Sequence, residues 1–259
     1  MEESIDRVQM GPERKSRRMS PKEKEITAYH EAGHALVGHL AQNLEPIRKV
    51  TIIPRGMAGG YTKPLVEDRL YYMRSYIEAV LAMDLGGRAA EELTFNEMST
   101  GASQDIKEAT DLARRMVTNY GMSDLLGPRT FGQKEEMIFL GREITEQRDY
   151  GDTVANQIDT EVNRIIQAAH ATALKVLTEN QAKLVQLAKA LLEKETLEGP
   201  ELDAVFNTPP SEIQPPADKP VVQTPAAEVE EKPKARAKTK TPNKLPGMMP
   251  QPKQSPSPS

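Results

Sequence analysis

The chain has 259 residues, a formal net charge of −4 and no cysteine. That length allows one or two domains, and the charge argues against a duplex nucleic-acid binder, which carries a basic face, so no nucleic-acid partner is expected. Without cysteine there is neither a disulfide framework nor a thiolate metal site, so any metal must be held by His, Asp or Glu, and a cytoplasm-facing compartment fits.

No apolar run approaches the roughly 18 residues that cross a bilayer, and the N-terminus is too polar for a signal peptide, so the chain as given reads as soluble. It contains no G-x-x-x-x-G-K-[ST] segment and hence no ATP site of its own.

Residues 1–19 are polar, with a basic cluster at Arg14, Lys15, Arg17 and Arg18, and read as a solvated linker. Ser20-Pro21-Lys22-Glu23 is a helix start: serine caps, proline suits the first helical position, and glutamate three residues on closes a capping box. Ile26, His30, Gly33, His34 and Val37 then recur at steps of three and four, which predicts a helix over about 21–42. Val50-Thr-Ile-Ile-Pro-Arg-Gly56 and Gly60-Tyr-Thr62 flank a glycine-rich turn and predict a short hairpin.

A second helix is expected over about 67–85, ended by Gly86-Gly87, with a short one carrying Ala89-Ala-Glu-Glu-Leu93. Ser99-Thr-Gly-Ala-Ser103 is a loop with Ser103 as candidate N-cap. The helix after it has Ile106, Ala109, Ala113, Met116, Val117 and Tyr120 on one side and stops at Gly121. Residues 121–143 look irregular. Val154, Ile158, Val162, Ile165, Ala169, Ala173 and Val176 mark a long amphipathic helix, and another spans about 181–195. Thirteen of the 20 prolines follow Phe206, in a stretch too poor in large apolar residues to offset its conformational entropy. The fold class is therefore mainly α: a helical domain over 20–206 with a small β-hairpin, followed by a disordered Pro/Lys/Glu-rich tail over 207–259.

His30-Glu31-Ala-Gly-His34 is an H-E-x-x-H motif inside the first predicted helix. Residues four apart stack on one helix face, so both imidazoles can bind one ion. Glu31 lies about 100° round the axis, where it reaches a water on the metal rather than the metal itself. Zinc there lowers the pKa of bound water to about 7 and polarises a scissile carbonyl, while Glu31 takes the proton and passes it to the leaving amine. One Zn2+ per chain is the expected cofactor.

A catalytic site needs a third protein ligand and an open fourth position. His39 is five residues past His34 and about 180° round from His30, a poor ligand; His170 lies in the long amphipathic helix and reads as packing or surface. A carboxylate is left, and Glu91, Glu92 and Asp105 are the candidates. Asp105 occupies the first turn of its helix, where the dipole alone favours an acid, and spacing does not choose among the three.

Ala28-Tyr-His-Glu-Ala-Gly-His-Ala-Leu-Val37, Gly86-Gly-Arg-Ala-Ala-Glu-Glu92 and Thr100-Gly-Ala-Ser-Gln-Asp105, in that order, resemble the peptidase domain of FtsH, the membrane-anchored, ATP-dependent zinc metalloprotease family. The resemblance runs from about Asp6 to Phe206. It implies that His30 and His34 bind zinc, that Asp105 is the third ligand and Glu31 the catalytic acid and base. Glu91 matches a family glutamate beside the site, a support for the ligands or an alternative ligand. The strand at Thr51, Ile52 and Ile53 resembles the one that pairs with extended substrate. Gln104 stands where the family usually has Asn and Gly59 where a larger apolar residue is common, and the tail matches no family pattern.

The resemblance further implies a homo-hexameric ring acting on unfolded or membrane-extracted proteins, fed by an AAA+ ATPase module and anchored by membrane segments that this chain does not contain. On that basis the chain is expected to be a zinc endopeptidase on the cytoplasmic, stromal or matrix side of its membrane. The alternative is a non-catalytic ring or docking component, against which the complete His30, Glu31 and His34 set argues.

Overall fold

The computed structural model describes residues 19–55, 59–65, 69–132 and 150–209. Among these are seven α-helices and three strands, so the domain is mainly helical with a small sheet. The expected linker over 1–19 and tail over 207–259 lie outside the described residues, apart from their inner ends, as do the glycine-rich turn at 56–58 and the segment 133–149. None of the described helices is long and apolar enough to cross a membrane.

Helix α1, Pro21–Leu40, starts with the capping box read from the sequence. Ser20 Oγ accepts from the Glu23 amide at 3.2 Å and Glu23 Oε2 accepts from the Ser20 amide at 2.7 Å. Its second half is buried all round, from His30 to Gly38, because small residues let other helices come close. A Cβ on Gly33 would meet the Gly86 carbonyl oxygen at 2.4 Å and Ala90 Cβ at 2.7 Å.

Strand β1, Ile47–Thr51, pairs antiparallel with β2, Tyr61–Pro64, in the expected hairpin. A third strand, β3, Thr196–Glu198, lies on the other side of β1, giving the order β2-β1-β3. Three residues are too few to show a period, and β3 escapes sequence analysis for that reason.

Helix α2, Arg74–Asp84, is shorter than the expected 67–85. Gly86-Gly87 does not end it in a left-handed turn. Leu85 stays right-handed at φ −86° and ψ −2°, and the glycines form the first turn of α3, Gly86–Phe95. Their role is close approach rather than termination. Helix α3 closes on Asn96 in the left-handed region, φ 52°.

A 3₁₀ turn, Thr100–Ala102, leads into α4, Ser103–Thr118. The capping serine is Ser99, whose hydroxyl accepts from the Gly101 amide at 3.0 Å, and Ser103 is already helical. Ala109, Ala113, Met116 and Val117 face inward as expected, whereas Tyr120, expected among them, is 50 % exposed beyond the helix end. Helix α5, Asp152–Glu179, and α6, Gln181–Lys194, follow, and a short α7, Pro200–Asn207, was not anticipated.

The core has two parts. One gathers α1, β1, α3, α6 and α7 around Leu36, Val50, Leu184, Leu187 and Leu191. The other joins α2 and α4 to the first half of α5 through Leu81, Met116, Ile158 and Ile165. Helix α5 contributes to both, with Ala173 and Leu177 in the first. The cluster of His30 and His34 on α1 and Asp105 on α4, which could hold a metal ion, draws on helices from each part.

Candidate metal centre

His30 and His34 lie on one face of α1, 9 % and 8 % exposed. Each ring is held from behind. His30 Nδ1 is 2.8 Å from Glu91 Oε1, and His34 Nδ1 is 2.7 Å from the Met83 carbonyl oxygen. Carboxylate and carbonyl both accept, so each Nδ1 carries a proton and, in the neutral ring, each Nε2 has its lone pair facing inward. The two Nε2 atoms are 3.0 Å apart, and Asp105 Oδ2 lies 3.1 Å from that of His30 and 3.6 Å from that of His34.

Two lone pairs and a carboxylate oxygen aimed at one point repel unless a cation or a proton sits among them. Ligands about 2.0–2.2 Å from a tetrahedral metal lie roughly 3.3–3.6 Å from one another; one separation here falls in that range and the other two, 3.0 and 3.1 Å, are a few tenths of an ångström shorter. The donor set, two imidazoles and one carboxylate, is of the kind that leaves a fourth position open. Among the described residues these three form the one cluster whose ligand atoms converge in this way.

Charge at the site follows the same logic. Burial works to lower His30, but the carboxylates of Asp105 and Glu91 more than reverse it and raise the metal-free imidazole to about 10. Burial likewise opposes Asp105 in His34, which ends raised. Asp105 itself, though burial favours its neutral form, is held well below the usual carboxylate range by the two imidazoles. A proton thus takes the place that a metal would fill. Asp84, the last residue of α2, is pushed up to about 7, chiefly by burial, with Asp105 and Glu108 adding and His34 opposing.

Glu31 projects beside this cluster, 5 % exposed, and burial raises its carboxyl against the pull of both histidines. Its Oε2 accepts from Thr62 Oγ1 at 2.9 Å. Glu91, 2 % exposed, is outside the converging set. It stands behind His30 and also accepts from the Ser99 amide at 2.6 Å, which ties the ring to the loop leading to Asp105. Glu92 points elsewhere, 3.2 Å from His170 Nε2. His39 stacks on Phe206 with ring centroids 3.8 Å apart and takes no part.

The strand expected to receive substrate is the middle one of the sheet. Thr51 is matched with Tyr61 on one side and Thr196 on the other, and the Ile52 amide donates to the Glu195 carbonyl at 2.9 Å. The Ile53 amide turns in to Thr51 Oγ1 at 3.2 Å. Thr51 therefore has a neighbouring strand on each side. The outer strand beside Glu31 is β2.

Sequence reasoning missed Thr62, the Met83 carbonyl and Ser99, because no spacing joins them to the residues they hold. It also misread Gly87, where a Cβ would lie 2.5 Å from His34 Nε2 and 2.6 Å from His30 Nε2. A Gly-Gly pair signals a helix end when read locally, and only the fold shows what it abuts.

An acid beside the first of two helix-borne histidines, with a carboxylate completing the set, defines a metal-dependent hydrolase of the H-E-x-x-H type. The model of Peptidase family M41 matches residues 17–205, and the chain belongs to that family. It is 54 % identical over 222 residues to the ATP-dependent zinc metalloprotease FtsH 1 of Thermomicrobium roseum, covering 84 % of this chain and 34 % of that protein. FtsH 4 of Sorangium cellulosum is 54 % identical over 203 residues, covering 77 % and 31 %, and FtsH 1 of a Thermoanaerobacter species 53 % over 208, covering 80 % and 34 %. The chain spans about a third of the length of these curated relatives.

Proposed function

We propose that this chain is the catalytic part of a zinc-dependent endopeptidase, with His30, His34 and Asp105 holding one zinc ion and Glu31 carrying the proton. The observation that supports it most is the convergence of the two Nε2 atoms and Asp105 Oδ2 next to a buried Glu31. When bound, zinc supplies the Lewis acidity that makes water nucleophilic near neutral pH and polarises a peptide carbonyl. Glu31 takes a proton from the attacking water and delivers it to the departing amine nitrogen, so the peptide C–N bond breaks and a carboxylate and an amine result. Glu91 fixes the His30 tautomer and Met83 that of His34.

The substrates are unfolded or membrane-extracted proteins, lying extended on the β2 side of Glu31. The relatives' names describe ATP-dependent enzymes, which supports delivery by an ATPase module; an AAA+ motor, a hexameric ring and a cytoplasm-facing side complete the proposal. The chain alone is expected to cleave already unfolded proteins slowly. Metal content of wild type beside His34→Ala, with casein cleavage by wild type beside Glu31→Gln, tests the reading. About one zinc per chain, lost in His34→Ala, and cleavage lost in Glu31→Gln with zinc retained, are expected. A folded, zinc-loaded wild type that leaves unfolded chains intact would falsify it and favour a docking component.

A further inference from the structure

We propose that Thr62, on the outer strand β2, is a positioning residue for Glu31; the proposal rests on the peptidase reading above. Thr62 Oγ1 is 2.9 Å from Glu31 Oε2 and 3.2 Å from the Glu31 backbone oxygen. A hydroxyl has one proton to donate, and the carboxylate is the stronger acceptor. Among the described residues no other group donates to this carboxylate. Glutamate has three side-chain torsions, so a single directed bond settles where its oxygens point.

The strand is built to come this close. A Cβ on Gly60 would lie 2.9 Å from Glu31 Cγ and Oε1 and 2.5 Å from the Thr51 carbonyl oxygen, so only glycine lets β2 pass the base. Pairing of Val50 with Thr62 fixes which side chain faces α1, and a one-residue slip would turn the hydroxyl to the opposite face. The backbone oxygen that Thr62 also approaches belongs to α1, so a purely structural role for the hydroxyl is the rival account. That account predicts losses in stability or zinc content, whereas positioning predicts a loss in turnover alone.

The test uses the full zinc-loaded chain with a fluorogenic peptide, comparing wild type, Thr62→Val and Thr62→Ser. Valine matches threonine in shape but cannot donate; serine keeps the donor. We expect Thr62→Val to lower kcat about tenfold or more, the size of one bond to a charged group, with KM within about twofold. Zinc content and Tm should stay at wild-type values, and Thr62→Ser should recover most of the rate. Binding of a hydroxamate-ended peptide, whose proton passes to the neighbouring carboxylate, reads the same bond without turnover and should weaken in Thr62→Val only. Unchanged kcat and hydroxamate affinity in Thr62→Val, or a loss carried by KM, zinc content or Tm, overturns the proposal. A wild type that binds zinc but cleaves nothing overturns the peptidase reading instead, and the hydroxamate comparison then still decides Thr62.

Discussion

The histidine arm and the aspartate arm of the candidate metal centre are built on different principles. His30 and His34 belong to one helix, buried by a crossing so close that Gly33 and Gly86 touch through their backbones, with both rings anchored from behind. Asp105 comes from another helix, its side chain 27 % exposed, after a loop and a single 3₁₀ turn. The first arm is prepared by local sequence and rigid packing. The second depends on α4 being docked, with Ser99 and Glu91 as its link to the first.

If the arms differ in this way, their removal should differ in size. His34→Ala takes one of two anchored rings and should abolish stoichiometric zinc, with affinity falling about 10³-fold or more, as read by competition with a chromophoric chelator. Asp105→Asn leaves the preformed histidine pair. It should cost a smaller factor in zinc affinity, while Tm of the metal-free chain should fall at neutral pH, because Asp105 pairs there with both imidazoles. Equal losses in the two variants would erase the distinction.

Gly33→Ala probes the crossing itself. Its Cβ would meet the Gly86 oxygen at 2.4 Å, and backbone cannot yield as a side-chain tip can. We expect a destabilisation of about 1–3 kcal/mol in urea unfolding, of the size that overpacking causes.

The smallest effect concerns Asp84, which feels both arms through His34 and Asp105. Its folded pKa of about 7 lies above the ordinary aspartate value of 3.8. The folded state therefore binds the extra proton between those values, and stability falls as pH rises through that window. A shift of that size converts to about 4 kcal/mol, but Asp84 is only half-buried and solvent screens most of it; Asp84→Asn should stabilise the metal-free chain by about 1 kcal/mol at pH 8 and by almost nothing at pH 4, measured by urea unfolding at the two pH values. A pH-independent gain would remove Asp84 from the account.

Sequence legibility follows the same division. The capping box at Ser20 and Glu23, the i,i+4 histidines and the long apolar stripe of α5 are local patterns, and each stands where the pattern put it. Asp105 could not be separated from Glu91 and Glu92 by spacing; family resemblance was needed, because which carboxylate faces a histidine depends on how helices pack. Gly86-Gly87 misled for the complementary reason. Its local meaning is a stop, and its tertiary meaning is contact with α1 and the histidine rings. Strand β3 and Thr62 left no local trace, since their partners lie far away along the chain.

The distance that hid β3 also orders events in time. Thr51 and Thr196 share a hydroxyl contact of 2.7 Å although 145 positions separate them. On a ribosome the motif helix emerges early, but the strand that completes the sheet beside Glu31, and helix α6 that covers α1, emerge late. A nascent chain thus carries both histidines long before the sheet and the packing around α1 are complete. If the chain cuts unfolded polypeptide as proposed, the first such polypeptide at hand is its own, and the packing that supports the motif helix is complete only when most of the chain has been made.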